Sequence, residues 1–220
     1  MIEEPRRIGG FPVTFKNLML GGQRVAFATI ADLESHLDRD RLLQDESFEP
    51  PYWALVWSGA RLFAESWATR PALAGCSVLD VGCGLGVVAL AAAAAGARVT
   101  AIDRAPDAIE FLRLSAQRNA YAIETIVGDL HAALPGRQFD FVVGAELLYE
   151  RAEFASLAEA LLACVAPGGR LFLIDAHRVD TREFYTALSG SGAREKSHAR
   201  LRLREEQSLI EIDVREFAAG

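Results

Sequence analysis

Four acidic residues stand at or beside the ends of short apolar runs: Asp80, Asp103, Asp129 and Glu146. Carboxylates so placed can accept hydrogen bonds from hydroxyls and amines or hold a cation. The run Ser77-Val78-Leu79-Asp80-Val81 leads into Gly82, Gly84 and Gly86, and then into an alanine-rich segment. Val78, Leu79 and Val81 read as a buried central strand, because such runs sit in parallel sheets. The glycines allow a sharp turn and a close ligand. The helix that follows presents unpaired N–H groups at its start. A strand, a glycine loop and a helix in this order cradle an adenosine-containing cofactor.

The spacing narrows the cofactor. A dinucleotide site wants Gly-x-Gly-x-x-Gly, but position 87 is Val. A carboxylate at Asp80 would repel a pyrophosphate and suits a positively charged amino-acid moiety. The form Asp-x-Gly-x-Gly-x-Gly resembles the first motif of the class I S-adenosylmethionine-dependent methyltransferases. The alternative is a glycine-rich turn in another α/β protein. Asp103 ends the run Val99-Thr100-Ala101-Ile102 and lies 21 positions past Gly82. That is the distance expected of a carboxylate that binds ribose hydroxyls, although a lone acid there could also cap a helix. The resemblance implies that Asp129 faces the adenine amine and that Leu130 lines the ring. Trp57, Cys83, Arg104 and Ala145 complete the expected cofactor-binding set with Asp80, Gly82, Gly84 and Gly86. S-adenosylhomocysteine is the expected product.

Glu146-Leu147-Leu148-Tyr149 directly follows the fourth expected strand. Glu146 also suits a solvated helix start, and Tyr149 a half-buried packing position. The aromatic lead Tyr52-Trp53-Ala54-Leu55-Val56-Trp57, the glycine loop and this acid-x-x-Tyr together resemble methyltransferase family 16, the seven-strand protein lysine methyltransferases. Many members carry Asp where this chain has Glu146. The resemblance implies a direct methyl displacement onto a lysine nitrogen. A lysine attacks only when neutral, and its free pKa is about 10.4. Glu146 is then expected to hold the ammonium and Tyr149 to bind the amine, with Trp57 covering the cofactor. A protein substrate is expected, with N- or O-methylation of a small molecule as the alternative. The tripeptide Pro50-Pro51-Tyr52 precedes the first strand and so is not the nucleobase-type motif that follows strand four. The four histidines, at 36, 131, 177 and 198, show no ligand spacing, and no metal is expected.

Elements in alternation must position these groups. Strands are expected over Val99–Asp103, Thr125–Leu130, Phe139–Ala145 and Arg170–Ile174, with helices over Ser58–Thr69, Leu85–Ala95, Asp107–Arg118, Phe154–Cys164 and Arg182–Leu188. Pro167-Gly168-Gly169 reads as a tight turn. Ala199–Arg204 and Ser208–Phe217 alternate as an antiparallel hairpin. The result is an α/β, Rossmann-like doubly wound sheet, mostly parallel with a C-terminal antiparallel hairpin and helices on both faces. Residues 1–50 read as an N-terminal extension, a hairpin plus an amphipathic helix over Ala31–Leu43, and 51–220 as the methyltransferase domain. A chain of 220 residues that is 51% hydrophobic supports one sizeable core. A net charge of −7 disfavours a grip on nucleic acid. No run reads as a membrane span or secretion signal, and three scattered cysteines suit a reducing cytoplasm.

Overall fold

The computed structural model describes residues 6–37, 50–205 and 208–220. Strands β1 (Arg7–Ile8), β2 (Phe11–Leu20) and β3 (Gln23–Ile30) form a small antiparallel sheet. Leu20 pairs with Gln23, so Gly21 and Gly22 alone make the turn, both at positive φ (59° and 80°). Such a two-residue turn matches the twist of the strands it joins.

The main sheet has seven strands. They are β4 (Ser77–Val81), β5 (Arg98–Asp103), β6 (Ile123–Val127), β7 (Phe139–Ala145), β8 (Val165–Asp175), β9 (Arg194–Glu205) and β10 (Ser208–Ala218), in spatial order β6-β5-β4-β7-β8-β10-β9. Neighbours pair in parallel from β6 to β8, and β10 runs antiparallel to both β8 and β9. This is the expected parallel sheet with a closing hairpin. Helices α1 (Ser58–Trp67), α2 (Val87–Ala94) and α3 (Pro106–Arg118) cover one face. The short α4 (Leu130–Ala133), α5 (Phe154–Ala163) and α6 (Arg182–Gly190) cover the other. Strand β4 serves both cores, since Val78 packs into one and Leu79 and Val81 into the other.

Strand order reverses between β4 and β7, where chain connections leave in opposite directions. The register makes that rim flush. Val81 pairs with Ile102 on one side and Gly144 on the other, Asp103 with Val127, and Ala145 with Ile174. The glycine loop, Asp103, Asp129, Glu146 and Asp175 therefore all emerge at the carboxyl ends, where ligands bind in such sheets.

Three local expectations change. Strand β6 ends at Val127, and Asp129 lies beyond it, where its side chain accepts from the His131 N–H at 2.8 Å and caps α4. Residues Pro167-Gly168-Gly169 lie inside β8 instead of forming a turn. A Cβ on Gly169 would stand 2.9 Å from the carbonyl oxygens of Phe139 and Asp140, and the β7–β8 register shifts there. Gly169 thus serves a close strand crossing at an irregularity. In the segment expected as an amphipathic helix, Leu33–His36 is a single 3₁₀ turn, and residues 38–43 lie outside the described residues.

The N-terminal sheet docks on α3 through two polar side chains one helical turn apart. Ser115 Oγ accepts from the Ala28 N–H at 2.9 Å. Asn119 accepts from the Ala26 N–H at 3.0 Å and donates to the Ala26 carbonyl at 2.6 Å. They satisfy the edge of β3 that β2 does not pair. Asn119→Ala leaves both Ala26 groups without that partner and should lower stability by about 2 kcal/mol. Urea denaturation measures the loss, and faster amide exchange at Ala26 localises it.

Candidate active site

The glycine loop is closely packed. Cys83 N–H donates to the Ile102 carbonyl at 3.1 Å, which tethers the loop to β5. A Cβ on Gly84 (φ +51°) would lie 2.8 Å from the Trp53 carbonyl oxygen, and one on Gly86 (φ +73°) 2.3 Å from Leu112. Side chains there are excluded by both conformation and space. The segment Tyr52–Ala54 therefore lies directly over the loop, and Trp53 packs its ring against Phe111 at 5.4 Å. Trp53 was not singled out from its neighbours in the sequence. On the other side, a Cβ on Gly82 would meet Leu147 at 2.7 Å.

Asp103 braces the loop from β5. Its two oxygens accept from Gly84 N–H at 2.8 Å and Ala105 N–H at 2.9 Å. Asp80 is 2% exposed, and its Oδ2 accepts from Ala89 N–H at 2.9 Å inside the first turn of α2. Burial pushes its carboxyl up to about 7, and the Asp103 charge adds to the rise, against the pull of the Ala89 bond. The Cys83 thiol, between these two acids, is also pushed well up by burial and by both charges. Among the described residues no cation pairs with Asp80 or Asp103 within 4 Å. Two uncompensated carboxylates around a bare loop fit a ligand that brings hydroxyls and a positive charge. S-adenosylmethionine is such a ligand. Asp103 would hold its ribose, Asp129 and buried Leu130 its adenine, and the loop beside Asp80 its amino-acid end. Ala145 ends β7 on the same rim.

Arg104 leans across that rim. Its Nη2 donates to the Tyr149 hydroxyl at 2.7 Å, and its guanidinium lies 3.7 Å from Glu150 and 3.5 Å from Glu153. Tyr149 is 54% exposed. The two residues thus join the end of β5 to the segment after β7, spanning the end of β4.

Glu146 belongs to a different cluster. Its side chain is 2% exposed. Oε1 accepts from Gly59 N–H at 3.3 Å, Oε2 from Ala176 N–H at 3.3 Å, and Arg178 pairs with Oε2 at 3.3 Å. Burial raises its pKa, and Arg178 and the backbone bonds oppose the rise. Glu146 takes a positive φ of 56°, which turns it back toward the start of α1. Gly59 admits it, since a Cβ there would fall 2.5 Å from Oε1. Trp57 lies under the Arg178 guanidinium, 3.8 Å from ring centre to Cζ. The structure therefore brings Trp57 and Glu146 together, with Tyr149 on the Arg104 side. Arg178, 32 positions after Glu146, gave no local signal in the sequence.

The family described as "Methyltransferase domain" matches residues 78–169. A ubiquinone biosynthesis O-methyltransferase from Xanthomonas euvesicatoria is 39% identical over 114 residues, 50% of this chain and 47% of that protein. The namesake from Methylocella silvestris is 36% identical over 129 residues, 58% of this chain and 49% of its own length. The chain spans about half the length of these curated relatives. Among solved structures, the T. thermophilus 16S rRNA N2 methyltransferase RsmC, in complex with AdoMet and guanosine, aligns with a TM-score of 0.67 and 16% identity, covering 94% of this chain and 51% of that one. Magnesium protoporphyrin IX methyltransferase from Synechocystis, with SAM bound, aligns with a TM-score of 0.61 and 18% identity, covering 86% and 98%. The expected likeness to family 16 lysine methyltransferases is corrected, because these sequence relatives are O-methyltransferases. Residues 78–169 thus match the methyltransferase-domain family, and the chain has the fold of the class I S-adenosylmethionine-dependent methyltransferases.

Proposed function

We propose that this protein is an S-adenosylmethionine-dependent methyltransferase that methylates a hydroxyl of a small molecule. The observation that carries the reading is the sequence match at 36–39% identity to relatives called O-methyltransferases, over the half of the chain that includes the cofactor loop. The site geometry supports it. A lysine or other ammonium acceptor calls for an open carboxylate, whereas Glu146 is buried and already paired with Arg178. A neutral or acidic acceptor meets no such requirement.

The cofactor supplies, when bound, a methyl group activated on a sulfonium. The chain supplies position and shelter. Gly82, Gly84 and Gly86 keep the loop bare, and Asp103 fixes its shape. Glu146 ties the start of α1 to the end of β8, which fixes the wall on which Trp57 stands. Trp53 and Trp57 keep water from the rim.

Methyl-tritiated S-adenosylmethionine incubated with the purified chain and a fractionated cell extract tests this. Label is expected in the low-mass fraction, with base-stable ether chemistry in the product. Label confined to a protein band overturns the small-molecule reading. Absence of cofactor binding by calorimetry overturns the methyltransferase reading itself.

A further inference from the structure

Glu146 spends its charge on Arg178, so the rim beside the glycine loop presents a cation. The geometry of that cation is fixed on three sides. Trp57 lies against one face of the guanidinium at 3.8 Å, Glu146 holds Nη2 at 3.3 Å, and the backbone is anchored two residues earlier, where Ala176 N–H donates to the same carboxylate. His177 between them has a positive φ of 55° and is itself pinned, with Nε2 2.9 Å from buried Asp213. A guanidinium has five N–H donors. Among the described residues the one ion pair of Arg178, to Glu146, uses Nη2, and 40% of the side chain faces solvent. Ala176 and His177, just before Arg178 in the chain, line a hollow of about 440 Å³ with Leu209, Ile210, Glu211 and Arg200, and Arg200 is itself paired with Asp213 and Glu211.

We infer that Arg178 selects the acceptor, and that the acceptor is an acid whose carboxylate pairs with the free edge of this guanidinium. The inference rests on the reading above and names its substrate class. Arg is suited to the task, because its planar fork meets a carboxylate with two parallel bonds and can stack on an aromatic ring at the same time. Prior stacking and pairing also mean that little side-chain freedom is lost when the acceptor arrives. Arg178 is a specificity residue here, distinct from the groups around the cofactor loop. Glu146 is a positioning residue that acts through it.

Titration calorimetry on the full chain, saturated with S-adenosylhomocysteine, tests the assignment with 3,4-dihydroxybenzoate and catechol as probes. The two differ by one carboxylate. The acid is expected to bind about 10- to 100-fold more tightly than catechol, as a charge-assisted pair allows. Arg178→Gln should remove most of that preference, and Arg178→Lys should restore part of it, since charge returns without the planar fork. Affinity for S-adenosylhomocysteine reports that each variant is folded. Equal affinity for the two probes, binding of neither, or a preference that survives Arg178→Gln overturns the inference and leaves the methyltransferase reading standing. Failure of the unaltered chain to bind S-adenosylhomocysteine removes that reading and this inference with it.

Discussion

Asp103→Ala should weaken S-adenosylhomocysteine binding by about 100-fold, measured by titration calorimetry, while the chain stays folded. The expectation rests on two losses at once. A carboxylate bonded to a ligand's hydroxyls contributes more than a neutral acceptor, about 1.5–3 kcal/mol. Asp103 also holds the glycine loop, through Gly84 N–H at 2.8 Å, and the chain after β5, through Ala105 N–H at 2.9 Å. Without it the loop keeps its tether from Cys83 to Ile102 but loses the brace at Gly84. Asp103→Asn should be nearly as damaging. Its amide must turn one N–H toward a backbone N–H that it cannot accept from. Neither variant enters the hydrophobic cores, since β5 contributes Val99, Ala101 and Ile102 to them. A thermal midpoint that stays within a few degrees, together with lost binding, is the expected pair of results. Normal binding by Asp103→Ala would remove Asp103 from the cofactor site.

The parts of this site legible in the sequence are those set by local periodicity. Apolar runs of five to seven residues, each meeting a turn and an acid, located β4, β5 and β7 and hence the rim. Three glycines at alternate positions located the loop between β4 and α2. Register supplied what spacing could not. Pairing of Val81 with both Ile102 and Gly144 places Asp103 and Glu146 on either side of that loop. Side-chain partnership was not legible. Glu146 read as an open acid because its basic partner lies 32 positions further along the chain. Arg178 reaches it only because β7 and β8 are neighbours and end together. Tyr149 read as Glu146's companion from three-residue spacing, yet the positive φ of Glu146 turns the two apart, and Tyr149 meets Arg104. The glycines at 168 and 169 read as a turn because turns are their commonest use. For Gly169 alone, the strand crossing at Phe139 and Asp140 shows the other use, close backbone approach.

Binding of S-adenosylmethionine should strengthen with rising pH between about 5.5 and 8, and the proton responsible sits on Asp80. Burial holds this carboxyl near 7, with Asp103 as a further cause, so it is about half protonated at neutrality. In the unfolded chain it titrates near its ordinary value, 3.8. The folded state therefore binds the proton more tightly. That stabilising difference is fully present below the unfolded value and is lost as pH rises through about 7, at most about 4 kcal/mol for a shift of this size. A net-positive ligand beside the loop favours the ionised acid and so competes with the proton. Its affinity should rise by up to about tenfold per pH unit below 7 and level off above it. S-adenosylhomocysteine lacks the sulfonium charge and should show a shallower slope over the same range. Asp80→Asn keeps an oxygen to accept from Ala89 N–H, so α2 retains its cap while the titrating group is gone. Both ligands should then bind with little pH dependence, and the cationic one should lose more affinity at pH 8. Calorimetry at four pH values on both ligands and both proteins resolves this. Absence of a pH slope for both ligands in the unaltered chain would show that the Asp80 charge does not face the amino-acid end of the site.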